Sequence, residues 1–166
     1  MFRSLLILCS LATTLAAGES NAQTAYRRAA LDGRGELVLT TTKGRSIRPP
    51  KDSDQVAFAQ IAISADHRTV GWTALYPNCC TSYPVPLKLV LVTTGVAHTF
   101  VGNGLPIWRW SYSADGHRVA FRQGTVHGAA PAHYELHDIG TGRLVGSFDA
   151  DGDAVRGMPR WARAVR

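Results

Sequence analysis

Two cysteines stand side by side in Tyr76-Pro77-Asn78-Cys79-Cys80-Thr81-Ser82-Tyr83-Pro84. Thiols are soft ligands and readily oxidised, so the pair points to disulfide formation, thiol exchange or capture of a soft metal ion. Adjacent Cα atoms lie about 3.8 Å apart, short of the usual disulfide range. A bond between these sulfurs would close a strained ring that fixes the loop and is easily reduced. Two thiolates alone make an incomplete metal site, and the chain has no Cys-x-x-Cys motif. The plainer readings are a rigidifying vicinal disulfide, two unpaired thiols, or a bridge between chains. Asp149-Ala150-Asp151-Gly152-Asp153 alternates carboxylates of the kind calcium prefers. A calcium loop starting at Asp149 needs glycine where Ala154 stands and glutamate where Arg160 stands, so the segment reads as a solvated acidic turn. His133 and His137 would form a metal pair on a helix. On a strand they share a face but lie about 13 Å apart at 3.3 Å per residue, too far to chelate one ion, and read as surface or packing histidines. Gly44-Arg45-Ser46-Ile47-Arg48 lacks the second glycine of a nucleophile elbow. No P-loop or dinucleotide fingerprint occurs. With no nucleophile–base pair to place, the residues do not point to an enzyme, and no cofactor is expected.

The elements that must position these residues repeat along the chain. Ser64-Ala65-Asp66 returns as Ser113-Ala114-Asp115, and Thr94-Gly95 as Thr141-Gly142. Leu105-Pro106-Ile107-Trp108 is echoed by Met158-Pro159-Arg160-Trp161, and residues 36–44 by 88–95. Echoes in one order at about fifty residues mark a repeat architecture. Strand signals fill each unit: Val70-Gly71-Trp72 and Val119-Ala120-Phe121 follow the Ser-Ala-Asp turns, and residues 134–139 alternate before a Thr-Gly turn. The expectation is an all-β chain of consecutive four-stranded antiparallel sheets. One unit runs from about residue 56 to 101 and the next from about 107 to 148. An incomplete first unit supplies two strands near residues 36–47, and a further strand is expected to begin at Trp161. Residues 23–35 read as irregular or weakly helical. Trp72, Trp108, Trp110 and Trp161 recur at strand positions and read as sheet packing.

The stretch from Trp110 through Ser113-Ala114-Asp115-Gly116 to Val119-Ala120-Phe121 resembles the WD40-like repeat of TolB-type β-propellers, and Asp138-Ile139-Gly140-Thr141-Gly142 resembles that repeat's closing turn. The copy at residues 63–70 carries His67 where the pattern has glycine, and both copies carry alanine where it prefers proline. The resemblance implies a partial or open β-propeller. It implies a role as scaffold or binding platform and names no partner. Only about two full repeats are present, whereas propellers close with 4 to 8 blades. The open ends would be capped or shared in a homo-oligomer.

The first segment reads as an address. Met1-Phe2-Arg3, an apolar run over residues 5–17 and the small-x-small Ser20-Asn21-Ala22 follow the order of a secretory signal peptide cleaved near Ala22. The run is shorter than the roughly 20 residues that span a bilayer. The domain reading is signal peptide 1–22, irregular segment 23–35 and propeller-like repeat domain 36–166. It places the mature chain in the periplasm or outside the cell, with no transmembrane segment. The composition is 45% hydrophobic and 18% charged, ordinary for a globular chain, and excludes collagen-like, coiled-coil and low-complexity classes. The net charge of +6 is carried mostly by arginines. Aromatics do not interleave with them as a nucleic-acid platform requires, so a protein or cell-envelope component is the expected partner.

In a blade the connections from second to third strand, and from one blade to the next, share one face. Residues 77–86, 124–131 and 149–157 would therefore lie together. Loops on a rigid scaffold carry binding more often than strands do. Tyr76, Asn78, Tyr83, His127 and Asp151 are the expected contact residues. The function this implies is non-catalytic binding or scaffolding. The alternative is redox or soft-metal handling at Cys79 and Cys80.

Overall fold

A computed structural model describes residues 24–93, 95–127, 131–150 and 157–166. The expected signal segment 1–22 lies outside these. Among the described residues, eleven strands form three antiparallel sheets, none closed into a barrel, and one short helix follows them. The first sheet holds β1 (Tyr26–Leu31), β2 (Leu37–Thr41) and β3 (Ser46–Ile47) in sequential order. The second is the meander β4 (Ala57–Ile63), β5 (Thr69–Tyr76), β6 (Val85–Thr93) and β7 (Val96–Val101). The third repeats it with β8 (Ile107–Tyr112), β9 (Arg118–Gln123), β10 (Ala132–Asp138) and β11 (Leu144–Ala150). These are the two expected four-stranded units.

The repeat extends to individual bonds. Ser64 Oγ donates to Asp66 Oδ1 at 2.6 Å, and Ser113 Oγ to Asp115 Oδ1 at 2.5 Å. The amides of Thr69 and Arg118 each donate to that serine hydroxyl at 2.9 Å. Those of Arg68 and His117 each donate to that aspartate at 3.0 Å. The short polar side chains satisfy the turn's own amides, which is why Ser and Asp nucleate it. The strands then leave each turn in one register, Ile63 opposite Val70 and Tyr112 opposite Val119.

Alternation along each strand sends side chains to both faces, so the sheets stack through two apolar layers. Between the first and second lie Tyr26, Leu37, Leu39, Phe58, Val70 and Trp72. Between the second and third lie Leu89, Leu91, Phe100, Ile107, Val119 and Phe121. Each large side chain buried in these layers contributes roughly 1.5–3 kcal/mol.

Two expectations are corrected. Residues 26–31 are neither irregular nor helical but the strand β1, paired with β2 from Leu31 opposite Leu37 to Tyr26 opposite Thr41. Only Tyr26 of that strand is buried, so its Arg-Arg-Ala-Ala sequence carries almost no apolar alternation to read. Nor does a strand begin at Trp161: Arg160–Arg163 form a single helical turn, α1. Met158, Ala162 and Val165 bury against Ala120, Ala132, Tyr134, Leu136 and Ala150, so the segment caps the outer face of the third sheet instead of extending the series. Among the described residues no helix is long and apolar enough to cross a membrane.

Candidate functional site

The connection between β5 and β6 and the connection between β9 and β10 leave matching ends of adjacent sheets, and they meet. His127 Nε2 lies 3.2 Å from the carbonyl oxygen of Cys80, so the ring nitrogen donates and the carbonyl accepts. In the first loop Asn78 Oδ1 accepts the Cys80 amide at 3.2 Å, and the Thr81 hydroxyl donates to the Tyr83 carbonyl at 2.6 Å. Cys79 and Cys80 are both exposed and unbridged, with their sulfurs 2.9 Å apart. The hydrogen bond and charge of Cys79 push the Cys80 thiol up. Tyr83 is 50% exposed.

Tyr76 departs from its expected contact role. Its ring is buried, and its hydroxyl donates to Asp52 Oδ2 at 2.5 Å. Lys88 pairs with the same carboxylate and rests over the Tyr76 ring, 5.2 Å from its centre. The hydrogen bonds from Lys88 and Tyr76 hold the Asp52 carboxyl below its usual range. Tyr76 anchors the root of the loop, while Asn78 shapes it and Tyr83 and His127 face outward. Asp151, with the rest of the acidic run beyond Ala150, lies outside the described residues. Asp149 is described, and its carboxylate is 2.6 Å from His133 Nδ1.

That contact is one end of a constellation that residue spacing alone did not reveal. His133, Glu135 and His137 alternate along one face of β10, while Tyr134 and Leu136 on the other face pack under α1. Glu135 fills the gap between the histidines: Oε1 lies 3.1 Å from His133 Nε2 and Oε2 lies 2.6 Å from His137 Nε2. Gln123, fully buried on β9, donates to Glu135 Oε1 at 3.0 Å and accepts the Asn103 amide at 2.9 Å. His137 Nδ1 faces the Gly142 carbonyl at 3.1 Å. The same ring stacks on Phe121 at 5.3 Å and meets the edge of Phe100 at 4.8 Å. Both nitrogens of each histidine face acceptors, so all four contacts are hydrogen bonds only when each ring carries two protons. Burial opposes ionisation of Glu135. The hydrogen bonds from His137 and Gln123 and the charges of both histidines outweigh it and hold the carboxyl below its usual range.

The arrangement ties β10 to β11 at the loop-side end through His133 and Asp149, to the β7–β8 connection through Gln123 and Asn103, and to β7 of the second sheet through His137 and Phe100. Every polar contact of these two histidines goes to a carboxylate or a carbonyl, not to a hydroxyl or thiol that could act as a nucleophile. No group of three or more His, Cys, Asp or Glu among the described residues could hold a metal ion. The sequence signal that could have found the constellation is the His-x-Glu-x-His spacing on a strand. Gln123 and Asp149 come from the neighbouring strands.

A second feature lies between β4 and β8. The β4 ladder is bulged between Ala59 and Ala62, with Gln60 in the left-handed region at φ 48°. The Gln60 amide nitrogen donates to the Trp108 carbonyl at 2.9 Å. A cavity of about 390 Å³ opens there, lined by Gln60, Ile61, Ala62, Trp110, Ser111 and Tyr112. Trp110 Nε1 and the Tyr112 hydroxyl are buried without a hydrogen-bond partner. Burial, then the charge of Asp66, pushes the Tyr112 phenol well up.

No family model matches the chain, and no curated protein matches it.

Proposed function

We propose that the protein is an exported, non-catalytic binding or scaffolding protein of the TolB-type propeller-repeat class, and that its contact face is the joined pair of loops at residues 77–84 and 124–127. The observation that carries this reading is the His127–Cys80 contact, which makes two loops from separate repeats into one surface. Rigid sheets beneath and exposed Tyr83, Cys79, Cys80 and His127 above suit recognition, since tyrosine joins apolar area to a hydrogen-bonding tip. The non-catalytic reading is supported by the closure of the β10 histidines on carboxylates. The propeller-class reading rests on the repeat residues, and the matched Ser-Ala-Asp turns are compatible with it. The partner is a protein or cell-envelope component.

The test replaces Tyr83 by a photo-crosslinking residue in the producing cell, with Val96 as control. Val96 is 56% exposed and stands beside the β6–β7 turn, away from the loops. A discrete adduct from position 83 that position 96 does not give is the expected result. Equal labelling, or none at 83, overturns the contact face. Mass analysis of the extracytoplasmic fraction is expected to find a chain beginning at Gln23, and an intact Met1 there overturns cleavage.

The 2.9 Å separation of the sulfurs favours a second reading, redox or soft-metal handling. Replacing both cysteines by serine separates the two: a scaffold keeps its adduct, whereas metal uptake or thiol exchange is abolished. Counting thiols with and without reductant reports whether the pair is closed.

A further inference from the structure

We propose that Cys79 and Cys80 are a modification site at which oxidation by a small-molecule disulfide breaks the His127–Cys80 contact and separates the two loops. The proposal names a regulation of the contact face and rests on that reading for its consequence. Both sulfurs are exposed and 2.9 Å apart, so an oxidant can reach either and the other is in place to resolve it. In the first step one thiolate attacks the oxidant, whose S–S bond breaks and releases one thiol. The neighbouring sulfur then attacks the mixed disulfide and releases the second thiol. The protein loses two protons and two electrons and gains one S–S bond. The oxidant takes up both electrons and both protons as two thiols.

The reduced loop is held in one shape by contacts on either side of the Cys80 Cα. The Cys80 amide is on Asn78 Oδ1, and the Cys80 carbonyl is on His127 Nε2. A trans peptide fixes the two Cα atoms at about 3.8 Å, whereas disulfides ordinarily span about 4.4–6.8 Å. Closing the ring therefore has to turn the backbone dihedrals around that peptide, and the Cys80 amide and carbonyl turn with them. His127 belongs to the separate connection between β9 and β10, so the carbonyl turns relative to it. Its bond exists only in the dithiol state, so by linkage it stabilises that state.

The experiment uses glutathione disulfide and the chain with its third cysteine replaced, Cys9→Ser, so that Cys79 and Cys80 are the only thiols. Thiol count, intact mass and the His127 ring NMR signals are followed across a redox titration, with a Cys79→Ser/Cys80→Ser variant as the unreactive control. The expected result is loss of both thiols without retained glutathione, together with a shift of the His127 signals that the control lacks. In His127→Ala the thiol–disulfide equilibrium should move toward the disulfide by about fivefold, the equivalent of one hydrogen bond. Two thiols that persist, a reaction that stops at the mixed disulfide, unmoved His127 signals or an unshifted equilibrium each overturn the proposal. The Tyr83 crosslink, measured in both states, separates the two readings. An adduct lost on oxidation supports the switch, and an adduct equal in both states overturns the switch while leaving the contact face. No adduct in either state overturns the contact face, with the thiol and His127 readouts still deciding the chemistry.

Discussion

The third strands of the two full repeats occupy the same register and carry opposite chemistry. Val90 stands opposite Trp72 as Glu135 stands opposite Phe121, and Val92 opposite Val70 as His137 opposite Val119. In the second sheet this face is apolar and packs on the first sheet around Tyr26 and Leu39. In the third sheet the same face packs on the second with Val119 and Phe121 in the apolar layer and the ionic chain of β10 beside them. One backbone pattern thus accepts either layer. A buried layer takes in a polar strand where its ionic groups find partners, as Glu135 does with His133, His137 and Gln123. The turns make the same point in miniature. His67 and Gly116 hold equivalent places with φ 59° and 72°, and the hydrogen bonds around them match. The histidine occupies a conformation that favours glycine and ties it to the first sheet: its Nδ1 lies 2.9 Å from the Tyr26 carbonyl, and the Tyr26 amide donates to the His67 carbonyl at 2.7 Å. Local strain and a contact between sheets are joined in one residue.

The largest break in this comparison is expected at Glu135. Glu135→Ala leaves two histidines and Gln123 facing each other without their acceptor and should cost about 2–3 kcal/mol in a denaturant titration. Replacing His133, Glu135 and His137 together by the Lys, Val and Val of the matching β6 places should recover part of that loss, because an apolar layer tolerates the register. A triple variant less stable than the single one would show that the two layers are not interchangeable. The pH dependence follows from the same residue. The folded state holds the Glu135 carboxyl below its ordinary value, so its stabilisation is present above the unfolded value and is lost as pH falls through the folded one. Glu135→Gln should therefore flatten the acid limb of the stability curve, and an unchanged limb counts against the ionic reading.

Gly71 comes next. Its counterpart in the third sheet is Ala120, yet a Cβ at Gly71 would come within 2.5 Å of Leu91 Cδ2, 2.6 Å of Trp110 Cη2 and 2.9 Å of the Tyr112 hydroxyl. Gly71→Ala should cost about 1–3 kcal/mol through overpacking between the second and third sheets, measured by thermal melting. A neutral outcome would place slack in that layer. The turn serines should differ by burial. Ser64 is 2% exposed and Ser113 is not buried. Ser64→Ala strands a buried Thr69 amide and should cost about 1–3 kcal/mol, with Ser113→Ala nearer 1. The smallest effect is expected at the paired φ positions. His67→Gly exchanges relief of strain for the lost Tyr26 contact and should stay within about 0.5 kcal/mol, whereas Gly116→His should destabilise by about 1.

Much of the fold is legible in the chain because its signals are local. Ser-Ala-Asp names its turn because the side chains that satisfy the turn lie within five residues of it. The apolar runs of β5 and β6 mark strands buried on both faces. Strand β1 is illegible because its pairing with β2, not its side chains, makes it a strand. The turn at Trp161 is illegible because the face it covers is assembled from β9, β10 and β11. At the site, Tyr83, Cys79, Cys80 and His127 are readable as exposed loop residues. Tyr76 is not readable as an anchor, since its partners Asp52 and Lys88 lie 24 and 12 positions away.

The amino-acid order therefore determined most of the strands, the repeat and the presence of two adjacent thiols in a loop, because each depends on neighbours within one turn or one hairpin. Tertiary structure alone decided that this loop meets His127, that Gln123 and Asp149 from the neighbouring strands join the His-x-Glu-x-His run, and that α1 closes the end of the stack. Those outcomes require atoms from separate strands and loops to arrive at one place, and no short window of sequence contains them.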